Sequence, residues 1–248
     1  IRWSELYRIL REPLGRSARF GARVTNAGYD PRPGREGKLF VEYTDEADRP
    51  WREDGFDLLV AAYGRYSALR GELAGQWPTH HVGSTIGRLL VPDTSGGLVD
   101  DYGWWLQGND RLLAFRVPTD QIYIAASFPI VPGAKVPPAM LSPEALARAW
   151  LPANGGGCEA ARWMVDQLVS RHDQIHWARL QESPPLFRDP AGRVLFLGDS
   201  AHGMVPTLGQ GATQAIEDAC TAATIIARGH ALADDVPATT LEIAALRE

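Results

Sequence analysis

Two runs of uninterrupted apolar residues, Leu58-Leu59-Val60-Ala61-Ala62 and Val194-Leu195-Phe196-Leu197, stand far apart in the chain. The first follows Asp57 and the second ends at Gly198-Asp199. A short run without polar alternation, bounded by turn residues, is the pattern of a strand covered on both faces, as in a parallel sheet. Parallel strands need a crossover, and the sequence between these two changes character. Residues 98–106, 112–117 and 121–130 are strand-like and aromatic, with breaks at Gly108-Asn109-Asp110 and Pro118-Thr119-Asp120. That spacing predicts an antiparallel meander with a hairpin turn at 107–111. The expected fold class is α/β: a layer with parallel strands, carrying an inserted and mostly antiparallel sheet.

The remaining punctuation places helices and loops. Ser4 is a good N-cap, and Leu6, Ile9, Leu10 and Leu14 make a stripe at helical spacing, so a helix is expected over 4–14. Residues 18–24 and 38–44 read as strands around a Gly/Pro/Arg turn at 28–37. Ser142-Pro143-Glu144 starts a helix after the Pro-rich connection 132–141, and a second helix over 158–171 follows the break Gly155-Gly156-Gly157. A helix over 212–228 is expected to bury Ala212, Ala215, Ile216, Ala219, Cys220, Ala223 and Ile226, with Cys220 an inert core residue.

Composition excludes several function classes. A formal net charge of -5 without a basic cluster argues against nucleic-acid binding. The two cysteines argue against a disulfide framework, and His80-His81 has no third ligand at metal spacing. Apolar runs are too short to span a bilayer and the start shows no leader, which makes a cytoplasmic protein the expectation. Both ends of the 248 residues read as cut, since the last ten are helix-like with no stop signal.

The segment 198–219, Gly-Asp-Ser-Ala-His-Gly-Met-Val-Pro-Thr-Leu-Gly-Gln-Gly-Ala-Thr-Gln-Ala-Ile-Glu-Asp-Ala, holds the densest chemistry. Ligands of open α/β sheets bind at the carboxyl ends of strands, where Gly198 and Asp199 stand. A carboxylate there suits sugar or ribityl hydroxyls rather than phosphate. Gly209, Gln210 and Gly211 precede the helix, whose first N–H groups favour negative charge.

This segment resembles the second flavin-binding motif of the para-hydroxybenzoate hydroxylase family, the single-component (class A) flavoprotein monooxygenases. Residues 57–70 resemble the family's middle motif, with Gly64, Ser67 and Arg70 present and Tyr63 in place of its Asp. The opening Trp3-Ser4-Glu5-Leu6-Tyr7 is similar to the family's helix after the first third. The resemblance implies an incomplete FAD-binding Rossmann-like layer, with 1–78 as part of the FAD domain, 79–140 as an inserted β-sheet substrate domain, and 141–248 as the rest of both. It implies that Asp199 takes the ribityl chain, that Pro206 sits between flavin and substrate, and that the backbone N–H groups of Ala212 and Thr213 face the flavin ring edge. Gly198, Gly209, Gln210 and Gly211 complete that lobe, while Gly64 and Arg70 lie near the pyrophosphate or the reductant's path. Trp105, Pro206 and Thr207 are the candidate substrate contacts.

The activity implied is hydroxylation of a small aromatic or N-heteroaromatic substrate, with FAD reduced by NADH or NADPH and O2 taken up as a flavin C4a-hydroperoxide. No catalytic side chain and no metal are then expected. An epoxidase or dehalogenating hydroxylase of the same fold, or a flavin-free relative that acts as a binding protein, are the alternatives. A monomer or a homodimer is expected. The family's Gly-x-Gly-x-x-Gly unit does not occur in residues 1–248. A dinucleotide-binding unit on the order of 100 residues is therefore expected before Ile1. His202 reads as a capping or core hydrogen-bonding residue. Strand alternation sends one of Trp104 and Trp105 inward.

Overall fold

The computed structural model describes residues 3–66, 69–75, 78–154, 156–228 and 235–247. In chain order its elements are α1 (Trp3–Arg11), β1 (Arg23–Tyr29), β2 (Leu39–Thr44), β3 (Pro50–Phe56), β4 (Leu59–Ala61), α2 (Leu69–Ala74), β5 (His80–Pro92), β6 (Tyr102–Gln107), β7 (Asp110–Val117) and β8 (Gln121–Pro129). They continue with α3 (Pro143–Ala149), α4 (Glu159–Ser170), β9 (His176–Glu182), β10 (Val194–Phe196), α5 (Gly211–Arg228) and α6 (Val236–Arg247). The chain divides into two compact units, Ile1–Gly15 with His81–Leu180, and Arg16–His80 with Gln181–Glu248.

The first unit is built on a five-stranded sheet in the order β6-β7-β8-β5-β9. The expected meander is present, and Gln107 pairs with Asp110 around Gly108, which adopts φ 59°. Alternation divides the sheet. Leu89, Val91, Leu112, Ile122, Ile124 and Phe128 point to one face and are buried against Leu146, Trp150, Met164 and Leu168 of the helical side. At Gly87 a side chain is excluded by packing: a Cβ there would lie 2.8 Å from Ile175 and 2.9 Å from the Trp177 ring.

The second unit contains the two apolar runs. They form β4 and β10, paired in parallel with Val194 opposite Leu59 and Phe196 opposite Ala61. Both faces of β10 are covered, as an uninterrupted apolar run requires, whereas β4 is covered on one face only and leaves Val60 45% exposed. Val194 and Phe196 pack with Leu39, Phe187 and Ala244, while Leu195 and Leu197 pack with Ala222, Ile225 and Ile243. A separate antiparallel sheet, β1-β2-β3, belongs to the same unit. Among the described residues no helix is long and apolar enough to cross a membrane.

Two further expectations need correction, and two strands carry no signal that the sequence reading used. The strand expected over 18–24 lies at 23–29, because Ala27 to Tyr29 continue the pairing with β2 into the stretch read as a turn. β3 and β9 have no apolar signature, and ladder pairing holds the first of them in place. The buried stripe of α5 is Asp218, Ala222 and Ile225, not the alanine-rich face chosen from spacing. Ile216 is 40% exposed and Cys220 is exposed, so Cys220 is not a core residue.

Candidate functional site

At the carboxyl end of β10 the chain turns at Gly198, which adopts φ 59°. A Cβ there would lie 3.1 Å from the Ala215 Cβ of α5, so glycine is required both by its backbone and by the close helix. The Gly198 N–H donates to the buried Asp218 carboxylate at 2.7 Å. Ser200 is fully buried, and its hydroxyl lies 2.6 Å from the carbonyls of both Ala61 and Leu197, which ties the ends of β4 and β10 together. Arg70 is buried and donates to the Ser200 carbonyl at 2.9 Å; burial lowers its pKa.

Asp199 is the residue of this turn that faces outward, with its side chain 46% exposed. Its partner is Arg65, with Nε 3.6 Å from Oδ2. Arg65 is held in turn by the carbonyls of Gln181 at 2.9 Å and Met204 at 2.8 Å. Sequence reading missed Arg65, although its place directly after Gly64 at the end of an apolar strand was a usable signal.

Downstream, Pro206, Thr207 and Leu208 form one exposed helical turn, closed by Gly209 at φ 65°. The first backbone bond into α5 runs from the Gln214 N–H to the Gln210 carbonyl at 2.9 Å. The N–H groups of Gly211, Ala212 and Thr213 are therefore the unpaired donors of the helix start. A Cβ added at Gly64, Gly209 or Gly211 would meet nothing within 4 Å, so the backbone at all three is open to a ligand. Thr213 and Gln210 are exposed beside them.

Tyr63 turns inward. It packs against the cluster around Phe196, lines a cavity of about 240 Å³ with Val24, Val41 and Leu73, and its buried hydroxyl has no partner among the described residues. Burial pushes its phenol up to about 12. A neutral, inward phenol supplies none of the surface charge of a carboxylate. Ser67 of the same motif lies outside the described residues. His202 takes the structural role expected of it, with Nε2 2.6 Å from Asp218 Oδ2.

In the sheet unit, Trp105 points to the covered face, where it packs on the core and lines a cavity of about 330 Å³ with Gln107, Trp150 and Cys158. Trp104 is on the opposite, open face and is 40% exposed. That face carries a feature sequence reading did not assemble. One residue from each strand forms a row: His176, Arg88, Tyr123, Phe115 and Tyr102. Phe115 and Tyr123 stack with ring centroids 4.7 Å apart, and Tyr102 and Phe115 stack at 6.4 Å. Arg88 Nη2 lies 3.5 Å from His176 Nδ1, and its Nε is buried without a partner. Burial raises the Tyr123 phenol, and the adjacent Arg88 cation opposes that rise. Arg88 has no carboxylate partner among the described residues, so the row holds an uncompensated cation between His176 and Tyr123. Pair registers place Arg88 diagonal to Tyr123, and Tyr123 opposite Phe115.

The turn and helix start fit a flavin nucleotide. Asp199 offers an outward acceptor for ribityl hydroxyls, and the α5 start offers backbone donors suited to the electron-rich edge of the flavin ring. The glycine backbone between them leaves room for close approach.

The FAD binding domain family model matches residues 186–234, which contain the Gly198–Asp199 turn and the start of α5. The chain is 32% identical over 189 residues to 3-amino-4-hydroxybenzoate 2-monooxygenase of Streptomyces platensis, covering 73% of this chain and 44% of that protein. It is 28% identical over 208 residues to 2-heptyl-3-hydroxy-4(1H)-quinolone synthase of Pseudomonas aeruginosa, covering 77% of this chain and 50% of that one. Among solved structures, Klebsiella pneumoniae HpxO complexed with FAD and uric acid superposes with a TM-score of 0.78 at 25% identity, over 100% of this chain and 59% of that one. The chain spans about half the length of the curated relatives it matches.

Proposed function

We propose, from the premise that this chain belongs to the para-hydroxybenzoate hydroxylase family of FAD-dependent monooxygenases, that it is part of an enzyme hydroxylating a small planar aromatic anion. NADH or NADPH would be the reductant and O2 the co-substrate. The observation that carries the flavin reading is the outward Asp199 beside the open start of α5. Bound FAD would supply the redox and oxygen chemistry, and the protein supplies orientation and electrostatics.

Each residue then has a defined task. Asp199, steadied by Arg65, accepts from ribityl hydroxyls. The N–H groups of Ala212 and Thr213 would face the ring edge, where the partial positive charge of the helix start favours negative charge. Pro206 and Thr207, exposed in the turn that ends at Gly209, would border the ring. Gly64 leaves the backbone open at the end of β4, and Arg70 acts through the Ser200 carbonyl it holds. The second unit is read as the flavin-binding part and the sheet unit as the substrate-binding part.

The row on the open sheet face supports the substrate class. Stacked aromatic rings match a planar ring, and a guanidinium without a counter-charge matches a carboxylate or phenolate. Asp199→Ala should raise the FAD dissociation constant about tenfold or more, read by flavin fluorescence quenching; an unchanged constant removes Asp199 from the site. Arg88→Met should weaken binding of aromatic carboxylates by about tenfold and leave neutral amide analogues unaffected, as measured by calorimetry. Equal losses for both ligand classes would contradict the anion reading.

A further inference from the structure

The flavin-facing turn and helix converge on one buried carboxylate. Asp218 lies on α5 seven positions after Gly211 and is fully buried. Burying a carboxylate is costly unless charge and hydrogen bonds compensate it, and here both oxygens are used. Oδ2 accepts the Gly198 N–H at 2.7 Å and lies 2.6 Å from His202 Nε2. Oδ1 accepts from Arg247 Nε, at the end of α6, at 2.7 Å. The same guanidinium donates to Gln214 at 2.7 Å and to Glu217 at 3.3 Å. Residues 214, 217 and 218 share one face of α5, so a single α6 side chain grips the helix over one turn.

We infer that Asp218, with His202 and Arg247, is a positioning hub for the flavin site, a role resting on the flavin reading above. It joins the backbone before Asp199 to the helix whose first N–H groups meet the ring. Gly198 is hydrogen-bonded to this hub and packed on Ala215, so the distance between the ribityl acceptor and the ring donors is set by Asp218 and not by the loop between them. Arg247 makes that spacing depend on the seating of α6.

Asp218→Asn is nearly isosteric, so it isolates the charge. It leaves Arg247 and His202 facing a neutral amide. In the FAD-free protein, hydrogen–deuterium exchange should rise about tenfold at Gly198 to His202 and at the start of α5, with β5 to β8 unchanged. The FAD dissociation constant should rise about tenfold. Met164→Ala removes a fully buried side chain of the sheet unit, away from the hub and from α5 and α6, and serves as the control for plain destabilisation. It should lower the melting temperature yet leave both readouts at the wild-type level. Arg247→Met gives a second reading if Asp218→Asn folds poorly, with the same pattern expected, and Arg247→Lys should restore part of it, since lysine keeps the charge without the fork. Unchanged exchange at Gly198 in the hub variants, or an equal rise in Met164→Ala, overturns the hub. Failure of the wild-type protein to take up FAD overturns the flavin reading instead, and the exchange result stands apart from it.

Discussion

Gly198→Val should destabilise the protein by about 2–5 kcal/mol and abolish flavin uptake. Two costs combine. A β-branched residue at φ 59° is forced into the left-handed region, worth about 1–2 kcal/mol. Its Cβ would also press on the Ala215 Cβ at 3.1 Å, and overpacking adds about 1–3 kcal/mol. The contact cannot relax by swinging a flexible side chain, because the neighbour is a helix alanine. Urea denaturation of Gly198→Val beside Gly198→Ala measures the effect. The alanine variant should lose less, since it lacks the branched carbons. A valine variant within about 0.5 kcal/mol of wild type would show that the turn is not held as described.

Phe196→Ala should cost about 3–5 kcal/mol. Phe196 is fully buried at the end of β10, packed among Leu39, Phe187 and Val194, and its N–H donates to the Phe187 carbonyl at 2.8 Å. The next residues are Leu197, Gly198 and Asp199, so the cavity opens directly beneath the site. Loss of flavin affinity should accompany the loss of stability. Tyr66→Ala is the matched surface control. Tyr66 is 80% exposed, and its removal should change stability by less than about 0.5 kcal/mol. Equal denaturation midpoints for Phe196→Ala and Tyr66→Ala would contradict the packing account.

These two positions were also the most legible in the sequence. A four-residue apolar run ending in Gly-Asp states a covered strand and a tight turn in a few letters, and the structure has both. The antiparallel meander was legible for a similar reason, since its apolar alternation and its Gly108-Asn109 break are local signals. β3, Pro-Trp-Arg-Glu-Asp-Gly-Phe, was not legible because its strand character comes from its partner. Ladder bonds to β2 hold it, and most of its side chains face water.

The α5 face was misread for a chemical reason. Alanines occur on every side of this helix, so spacing alone selects no face, and a carboxylate is the last residue one would bury. Asp218 is inside because His202 and Arg247 lie beside it, and Arg247 is 29 positions away on another helix. Pairing over that separation leaves no periodic trace. The row on the open sheet face has the same character. Its five members come from five strands, each unremarkable alone, and only the register sets Arg88 beside Tyr123 and Tyr123 opposite Phe115. Tyr63 was visible as a departure from the family motif, but its inward turn follows from the apolar packing around Phe196.

We propose that a flavin is held between Asp199 and the start of α5. Hydrogen–deuterium exchange of the full-length protein, with and without saturating FAD, tests it most directly. Slowed exchange is expected at Gly198 to His202 and at Gly211 to Gln214, together with the visible bands of bound oxidised flavin and the loss of both effects in Asp199→Ala. Bound flavin with unchanged exchange across those two segments would contradict it.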